Sequence, residues 1–289
     1  VNKTYTIKSS SSGNNSPRKT HKRLRYILYM KVTISNLAKS ETFATIFQYI
    51  KNFSEQINIR FSDDRMYIQT MDSSRVSIVE IEIPKAWFDV YDVSTSTTVG
   101  ISAAILGRIL CSRDKKQIIE IDIPTDGCDN FTLHFLNGQH TSTTFEKHFE
   151  IPMIDLDTET MNIPSMEYQA EFSLPSGHFS EIINQLKMFG DTLEITCSEE
   201  KIALYSKSPE NGKMEVEIKI DDLTNFAINE GESLQLSYSL TYLHYICLYN
   251  KLAKEVEIKL YDQFPLQVVY NLGEEATLKF FLAPKLEDS

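Results

Sequence analysis

The 289-residue chain is 42% hydrophobic and 24% charged with a formal net charge of −11, the balance of a globular protein long enough for about two domains with their own cores. No apolar run approaches the roughly 20 residues that span a bilayer, and the opening residues carry no apolar signal core, so neither membrane insertion nor secretion is expected. Cys111, Cys128, Cys197 and Cys247 are far apart and form no CxxC pair, which points to reduced packing residues rather than a disulfide or zinc framework.

Residues 1–29 hold seven Lys/Arg and no acid, leaving −18 on the remainder. This Ser/Asn-rich leader reads as disordered. Its cluster "PRKTHKRLR" suits a nuclear address or a phosphate-binding arm, and equally a solvated tail. Patterning begins at Met30. In "TFATIFQYIKNF" (42–53) apolar residues fall at Phe43, Ile46, Phe47, Ile50 and Phe53, the spacing of an amphipathic helix. "INIRFSDDRMYIQT" (57–70) reads as two alternating strands about a polar turn. Strand "IVEIEI" (78–83), a strand-to-helix segment "VGISAAILGRIL" (99–110) and strand "IIEIDI" (118–123) follow.

The same series then recurs. "HFSEIINQLKMF" (178–189) places Phe179, Ile182, Ile183, Leu186 and Phe189 each 136 residues after the first helix's apolar set. "LEITCSEEKIALYS" (193–206) keeps that offset, and "LSYSLTYLHYIC" (236–247) follows with an offset of 137. "MEVEIKI" (214–220) and "EVEIKL" (255–260) complete the set of strands. Agreement in spacing and residue class over several elements indicates a tandem duplication of an α+β unit. Between the halves, "IPMIDLDTETMNIPSMEY" (151–168) has two prolines and little periodicity, as an extended connector would.

No catalytic chemistry emerges. The histidines form no HxxxH or HxH pair, and no phosphate-binding glycine motif or nucleophile elbow is present. Asp63 and Asp64 have Glu199 and Glu200 as repeat partners in the same polar turn, so they read as solvated turn residues rather than an acid/base pair. "DLDTE" (155–159) lacks an EF-hand's glycine and bidentate glutamate. The reading is of a protein that is not an enzyme and needs no cofactor or metal.

The stretches "MDSSRVSIVEI" (71–81), "PSGHFSEIINQLKMFGD" (175–191), "IDLDTETMNIPSMEY" (154–168) and "FFLAPKLED" (280–288) resemble the proliferating cell nuclear antigen (PCNA) family of DNA sliding clamps, in order from about Met30 to the end. The resemblance implies two similar clamp domains, 30–149 and 169–289, around a connector at 150–168, with 1–29 as a basic leader. It implies a homotrimeric ring whose helices line the hole and whose sheets form the outside. Such a ring holds a polymerase on duplex DNA through loose, sequence-blind phosphate contacts. Expected partners are duplex DNA, a DNA polymerase, a clamp loader and other proteins carrying the short PIP-box peptide. The expected place is intracellular, in the nucleus or in a viral replication compartment. A subunit of a hetero-oligomeric checkpoint clamp, or a monomeric or dimeric processivity factor of this fold, is the alternative.

The resemblance also assigns residues. Lys51 and Arg108 match basic DNA-facing positions, with Lys187, Arg113 and Lys251 adding charge nearby. Asn184 and Leu248 stand where the family commonly has Arg and Lys. Ring closure would pair 144–151 with 213–220 of a neighbour, through Glu146, Lys147 and Phe149 on one edge and Leu186, Phe189, Lys213, Glu215 and Glu217 on the other. Phe149 is expected to pack on the neighbour's Leu186 and Phe189. The partner-peptide groove is assigned to Met71, Arg75, Val76, Ile78, Met161, Ile163, Pro164, Pro265, Phe281, Leu282, Ala283 and Pro284. The family usually has His at Arg75 and Tyr at Phe281.

Overall fold

A computed structural model describes residues 29–124, 129–138, 145–157, 160–164 and 166–285. The leader, Cys128, His140, parts of "DLDTE" and the last four residues lie outside these.

The first half runs β1 (Tyr29–Ile34), α1 (Leu37–Tyr49), β2 (Gln56–Phe61), β3 (Arg65–Met71), β4 (Ser77–Pro84), β5 (Val90–Asp92), β6 (Thr97–Ser102), α2 (Ala103–Cys111), β7 (Gln117–Pro124), β8 (Asn130–Asn137) and β9 (Lys147–Pro152). The second half repeats the order: β10 (Ala170–Pro175), α3 (Ser176–Leu186), β11 (Thr192–Cys197), β12 (Lys201–Ser208), β13 (Gly212–Lys219), β14 (Asn225–Ile228), β15 (Leu234–Ser239), α4 (Leu240–Cys247), β16 (Glu255–Leu260), β17 (Leu266–Gly273) and β18 (Ala276–Leu282). All pairings are antiparallel, and each pairing in one half has its counterpart in the other.

The strands form three sheets, ordered β5-β1-β7-β8-β9, then β14-β10-β16-β17-β18-β4-β3-β2-β6, then β13-β12-β11-β15. The central nine-stranded sheet crosses from one half to the other at β18 and β4. Strand alternation drives this layering: in β4, Val79, Ile81 and Ile83 are buried while Glu80 and Glu82 are part-exposed on the other face. The helices cover the apolar face. Phe43, Ile46 and Phe47 of α1 and Phe179, Ile183 and Leu186 of α3 are buried, as their spacing requires.

The helices make one continuous row. α1 packs on α2 and α3 on α4, and the two pairs meet where the Tyr249 hydroxyl donates to the Ile46 carbonyl at 3.3 Å and the Tyr49 and Tyr249 rings lie edge to face. Beneath this contact Phe280 of β18 packs on Phe53 and Tyr249, each at 5.2 Å.

Two boundaries differ from the sequence pattern. α1 starts five residues before the run at 42, because the Asn36 side chain accepts from the N–H groups of Ala38 and Lys39 and caps the first turn. β9 continues through Pro152, so the extended segment begins at residue 153. Strands β1 and β10, one ahead of each first helix, were not anticipated.

Candidate functional site

On and beside the helices, Lys51, Arg108 and Lys251 are exposed and Lys187 is half-buried. Lys187 lies over the Tyr245 ring at 6.0 Å. Beside it, His244 Nδ1 meets Asn184 Oδ1 at 2.7 Å. Burial, and then the Lys187 ammonium, hold the His244 imidazole below its ordinary pKa, so near neutral pH it adds little positive charge. Glu181 adds an exposed acid on α3.

Arg113 does not belong to this surface. Its side chain is 2% exposed, ion-paired to Glu41 at 2.8 Å, and it donates to the Gln117 carbonyl at 2.8 Å. A guanidinium held this way ties α1 to the turn before β7 and is not available to a phosphate. Its place in a polar turn gives no sign in the sequence of its own burial or of the partner Glu41, 72 residues away.

On the opposite face of the central sheet runs the connector. The Gln69 side chain pairs with it as a strand would, donating to the Met161 carbonyl at 3.0 Å and accepting from its N–H at 2.7 Å. Asn58 donates to the Leu156 carbonyl at 3.1 Å, and Ile154 N–H donates to the Gly100 carbonyl at 2.8 Å. Gly100 is needed there, since a Cβ would lie 2.0 Å from the Ile154 carbonyl oxygen.

Under the connector is an apolar cavity of about 200 Å³, in which Ile78, Met161, Ile163, Pro164, Pro265 and Phe281 come together. Asn162, Met166, Tyr168 and Phe264 also line it. The sequence reading missed these four because the connector has no periodicity to mark inward positions, although an aromatic directly before Pro265 was a usable sign. A more polar cavity of about 430 Å³ adjoins it, with Tyr67, Glu80 and Lys279 among its walls. Here the Tyr67 hydroxyl donates to Glu80 at 2.8 Å, and Lys279 pairs with Glu80 at 3.2 Å.

Met71 and Arg75 line a separate cavity with Leu156 and Asp157. The loop between them is built on Asp72, 6% exposed, whose carboxylate accepts from the N–H groups of Ser74, Val76 and Ser77 and from the Tyr242 hydroxyl at 2.6 Å. Burial raises the pKa of Asp72, but these hydrogen bonds outweigh it and hold the carboxyl below its ordinary range. Arg75 takes a left-handed φ of 57° in this loop.

Leu282 is fully buried as the last residue of β18, so it is core rather than groove. Val76, Ala283 and Pro284 are half-buried at the margin, with Ala283 N–H donating to the Val76 carbonyl at 2.9 Å. Leu186 is likewise 0% exposed and has no surface to offer a neighbour. Phe149 and Phe189 are half-buried, and Glu146, Lys213, Glu215 and Glu217 are exposed. Lys147 is half-buried and donates to the Ser112 carbonyl.

Among the described residues no group of three or more His, Cys, Asp or Glu is placed to hold a metal ion, and no helix is long and apolar enough to cross a membrane. Cys111, Cys197 and Cys247 are free.

A duplicated α+β unit with helices on one side, antiparallel sheets on the other and a connector bridging the halves defines the DNA-clamp fold. Family models agree: the N-terminal domain of proliferating cell nuclear antigen matches residues 34–160 and its C-terminal domain matches 162–285. The chain belongs to the PCNA family of non-enzymatic DNA sliding clamps.

Proposed function

We propose that this protein is a DNA polymerase processivity factor: a homotrimeric ring that encircles duplex DNA and docks replication and repair proteins through the groove beneath its connector. The observation that carries this reading is a separation of surfaces. Alternating residues of β18 face opposite ways, Phe280 into the helix side and Phe281 into the connector cavity. DNA contact and partner docking therefore use opposite faces of one sheet. For this purpose the chain divides into a leader (1–29), clamp domains at 30–149 and 169–289, and a connector at 150–168.

The apolar cavity, close in size to a few side chains, suits the aromatic and aliphatic anchors of a PIP-box peptide from a polymerase or clamp loader. With Phe281 on its wall, β18 contributes no hydroxyl to that contact. Lys51, Arg108, Lys187 and Lys251 face the DNA. With so few cations on the helix row, retention comes from enclosure rather than from tight phosphate contact. The working place of such a clamp is the nucleus or a viral replication compartment.

Retention on DNA of two shapes tests this reading. Once loaded, the protein should remain on nicked circular DNA through a wash of moderate salt and slide off linear DNA of the same length. Equal retention on both would overturn enclosure. A monomer by light scattering at micromolar concentration would favour the monomeric processivity factor.

A further inference from the structure

Away from the helix row and the connector groove, the first flanking sheet carries a histidine pair on its outer side. β8 and β9 pair with His134 directly opposite His148. Along β8, Phe131, Leu133 and Phe135 are buried, so His134 lies on the side away from the core. His148 is exposed and the His134 side chain is 19% exposed. The two Nδ1 atoms meet at 2.7 Å, with the ring centroids 4.8 Å apart. We propose that this pair is a binding site for a divalent cation of the zinc class, to which His134 and His148 each give one ring nitrogen while neighbouring carboxylates balance its charge.

Two nitrogens bound by one ion, each at about 2.0–2.1 Å, stand roughly 3 Å apart. The pair therefore needs only a small opening, which the exposed His148 can supply. The other nitrogen of His134, Nε2, faces the Asp122 carboxylate at 3.9 Å. A carboxylate behind a ligating imidazole fixes its tautomer and orientation; a proton held on Nε2 toward Asp122 leaves Nδ1 unprotonated for the ion. The strand pairing adds acids in the neighbouring row, where Asp122 and Glu150 flank Thr132. Glu120, opposite His134, is already ion-paired to Lys31 at 2.9 Å, so the acids offered to the ion are Asp122 and Glu150. Imidazole with carboxylate suits zinc, nickel or copper, whereas calcium and magnesium take oxygen ligands. Two nitrogens are fewer than the three protein ligands of a catalytic zinc centre, which makes this an open, exchangeable site with water in the remaining positions.

The repeat shows that the fold itself does not need the pair. Glu120 and Glu257, 137 residues apart, face His134 and Val269, so β8 and β9 correspond to β17 and β18. In this register Phe149 answers to Phe280, and His148 to Lys279, which faces Val269 as His148 faces His134. Asp122 has Lys259 as its counterpart. The second half thus places ammonium groups where the first has an imidazole and a carboxylate, an exchange that turns a cation-binding surface into one that repels cations. The surroundings differ as well: β18 continues into β4, where Lys279 pairs with Glu80 at 3.2 Å, whereas β9 ends its sheet. No sequence motif marks the site, because the two histidines are 14 residues apart and become neighbours only through strand pairing.

Titration of the full chain with Zn²⁺ against a chromophoric chelator tests the site. The wild type should bind the ion at micromolar concentration, and the ion should raise its melting temperature. His148→Gln, a change at an exposed position, should lower the affinity by more than about tenfold and remove the thermal shift. Cys111→Ser, at the exposed thiol of α2, should leave both unchanged. Absence of zinc binding by the wild type, equal binding by His148→Gln, or loss of binding with Cys111→Ser instead would overturn the proposal and leave the histidines as a hydrogen bond between strands. Both readouts concern the single chain, so the result stands apart from the ring reading.

Discussion

The β18–β4 junction and the free edges β9 and β13 are the same construction in two conditions, one covered and one open. At the junction, Phe280 is enclosed by Phe53, Tyr249 and Tyr270. At the edge, Phe149 has one ring neighbour among the described residues, Phe135, at 5.3 Å. The junction also carries a polar tie, Tyr242 to Asp72. Counting by the repeat, Ile105 and Ser208 stand at the equivalent positions, and neither can reproduce a tyrosine–carboxylate bond. Ile105 is instead 38% exposed. A joint held within one chain can therefore be permanent, while one built from the edges relies on apolar cover and a few exposed charges. That difference suits the ring proposed above, which would have to open to admit DNA.

Truncating the two equivalent phenylalanines should separate the two conditions most widely. Phe280→Ala removes a fully buried ring from the junction and should cost about 3–5 kcal/mol of folding stability, read as a large fall in the denaturant midpoint. Phe149→Ala, half-exposed in the single chain, should cost well under half as much in the same titration, yet abolish assembly in light scattering. Equal destabilisation by both would show that the edge is core in its own right.

The Asp72 tie should come next. Asp72→Ala leaves three N–H groups and the Tyr242 hydroxyl without their acceptor and should cost about 2–3 kcal/mol. Tyr242→Phe should cost about 1 kcal/mol. The folded-state pKa of Asp72 lies below its ordinary value. Its contribution is thus present above the unfolded pKa of about 3.9 and fades as pH falls through the folded value. The stability gap between wild type and Asp72→Asn should accordingly narrow on acidification from pH 7 to about pH 3. A gap independent of pH would mean that the carboxylate's charge plays no part.

The repeat that makes this comparison workable was legible in the sequence because period and residue class survive burial. The 136-residue offset aligned α1 with α3 and both hairpins with the strands observed. The residues that the sequence misplaced all depend on contacts between distant segments. Arg113 looks like a turn cation until Glu41 is brought beside it. Leu282 looks like part of the polar-tipped tail, but it pairs with Ser77 and closes the sheet. Leu186 lies on the apolar stripe of its helix, at a position that faces fully inward while Phe189 stays half-buried. Met166 and Tyr168 could not be read as groove residues, because what makes them so is the path of an aperiodic connector. Leu282 also changes the effect of shortening the tail. Removal of residues 283–289 should weaken peptide docking and spare folding, whereas removing Leu282 as well should destabilise the sheet, distinguishable by thermal melting.

A smaller effect bears on the connector that spans the junction. Gly100→Ala would place a methyl against the Ile154 carbonyl, which forces the half-buried start of the connector outward. Fluorescence anisotropy with a labelled PIP-box peptide should show affinity reduced several-fold with the melting temperature shifted by only a few degrees. Unchanged affinity would indicate that the peptide does not depend on the connector's seat.

The smallest expected effect concerns the helix row, where the junction and the edge again hold equivalent residues. Lys51 and Lys187 are 136 residues apart. Lys51 is exposed at the junction, whereas Lys187 is half-buried near the edge and lies over Tyr245. A free ammonium releases a counterion when it meets a phosphate, so Lys51→Ala should lower the log–log salt slope of DNA binding by about 1 per subunit contact. Lys187, held by an aromatic face, has less freedom to reach the backbone, and Lys187→Ala should change the slope by less. The comparison is best made on linear duplex DNA, where enclosure does not mask contact. Equal losses would mean that the Tyr245 ring leaves Lys187 free, and that junction and edge present the same charge to DNA.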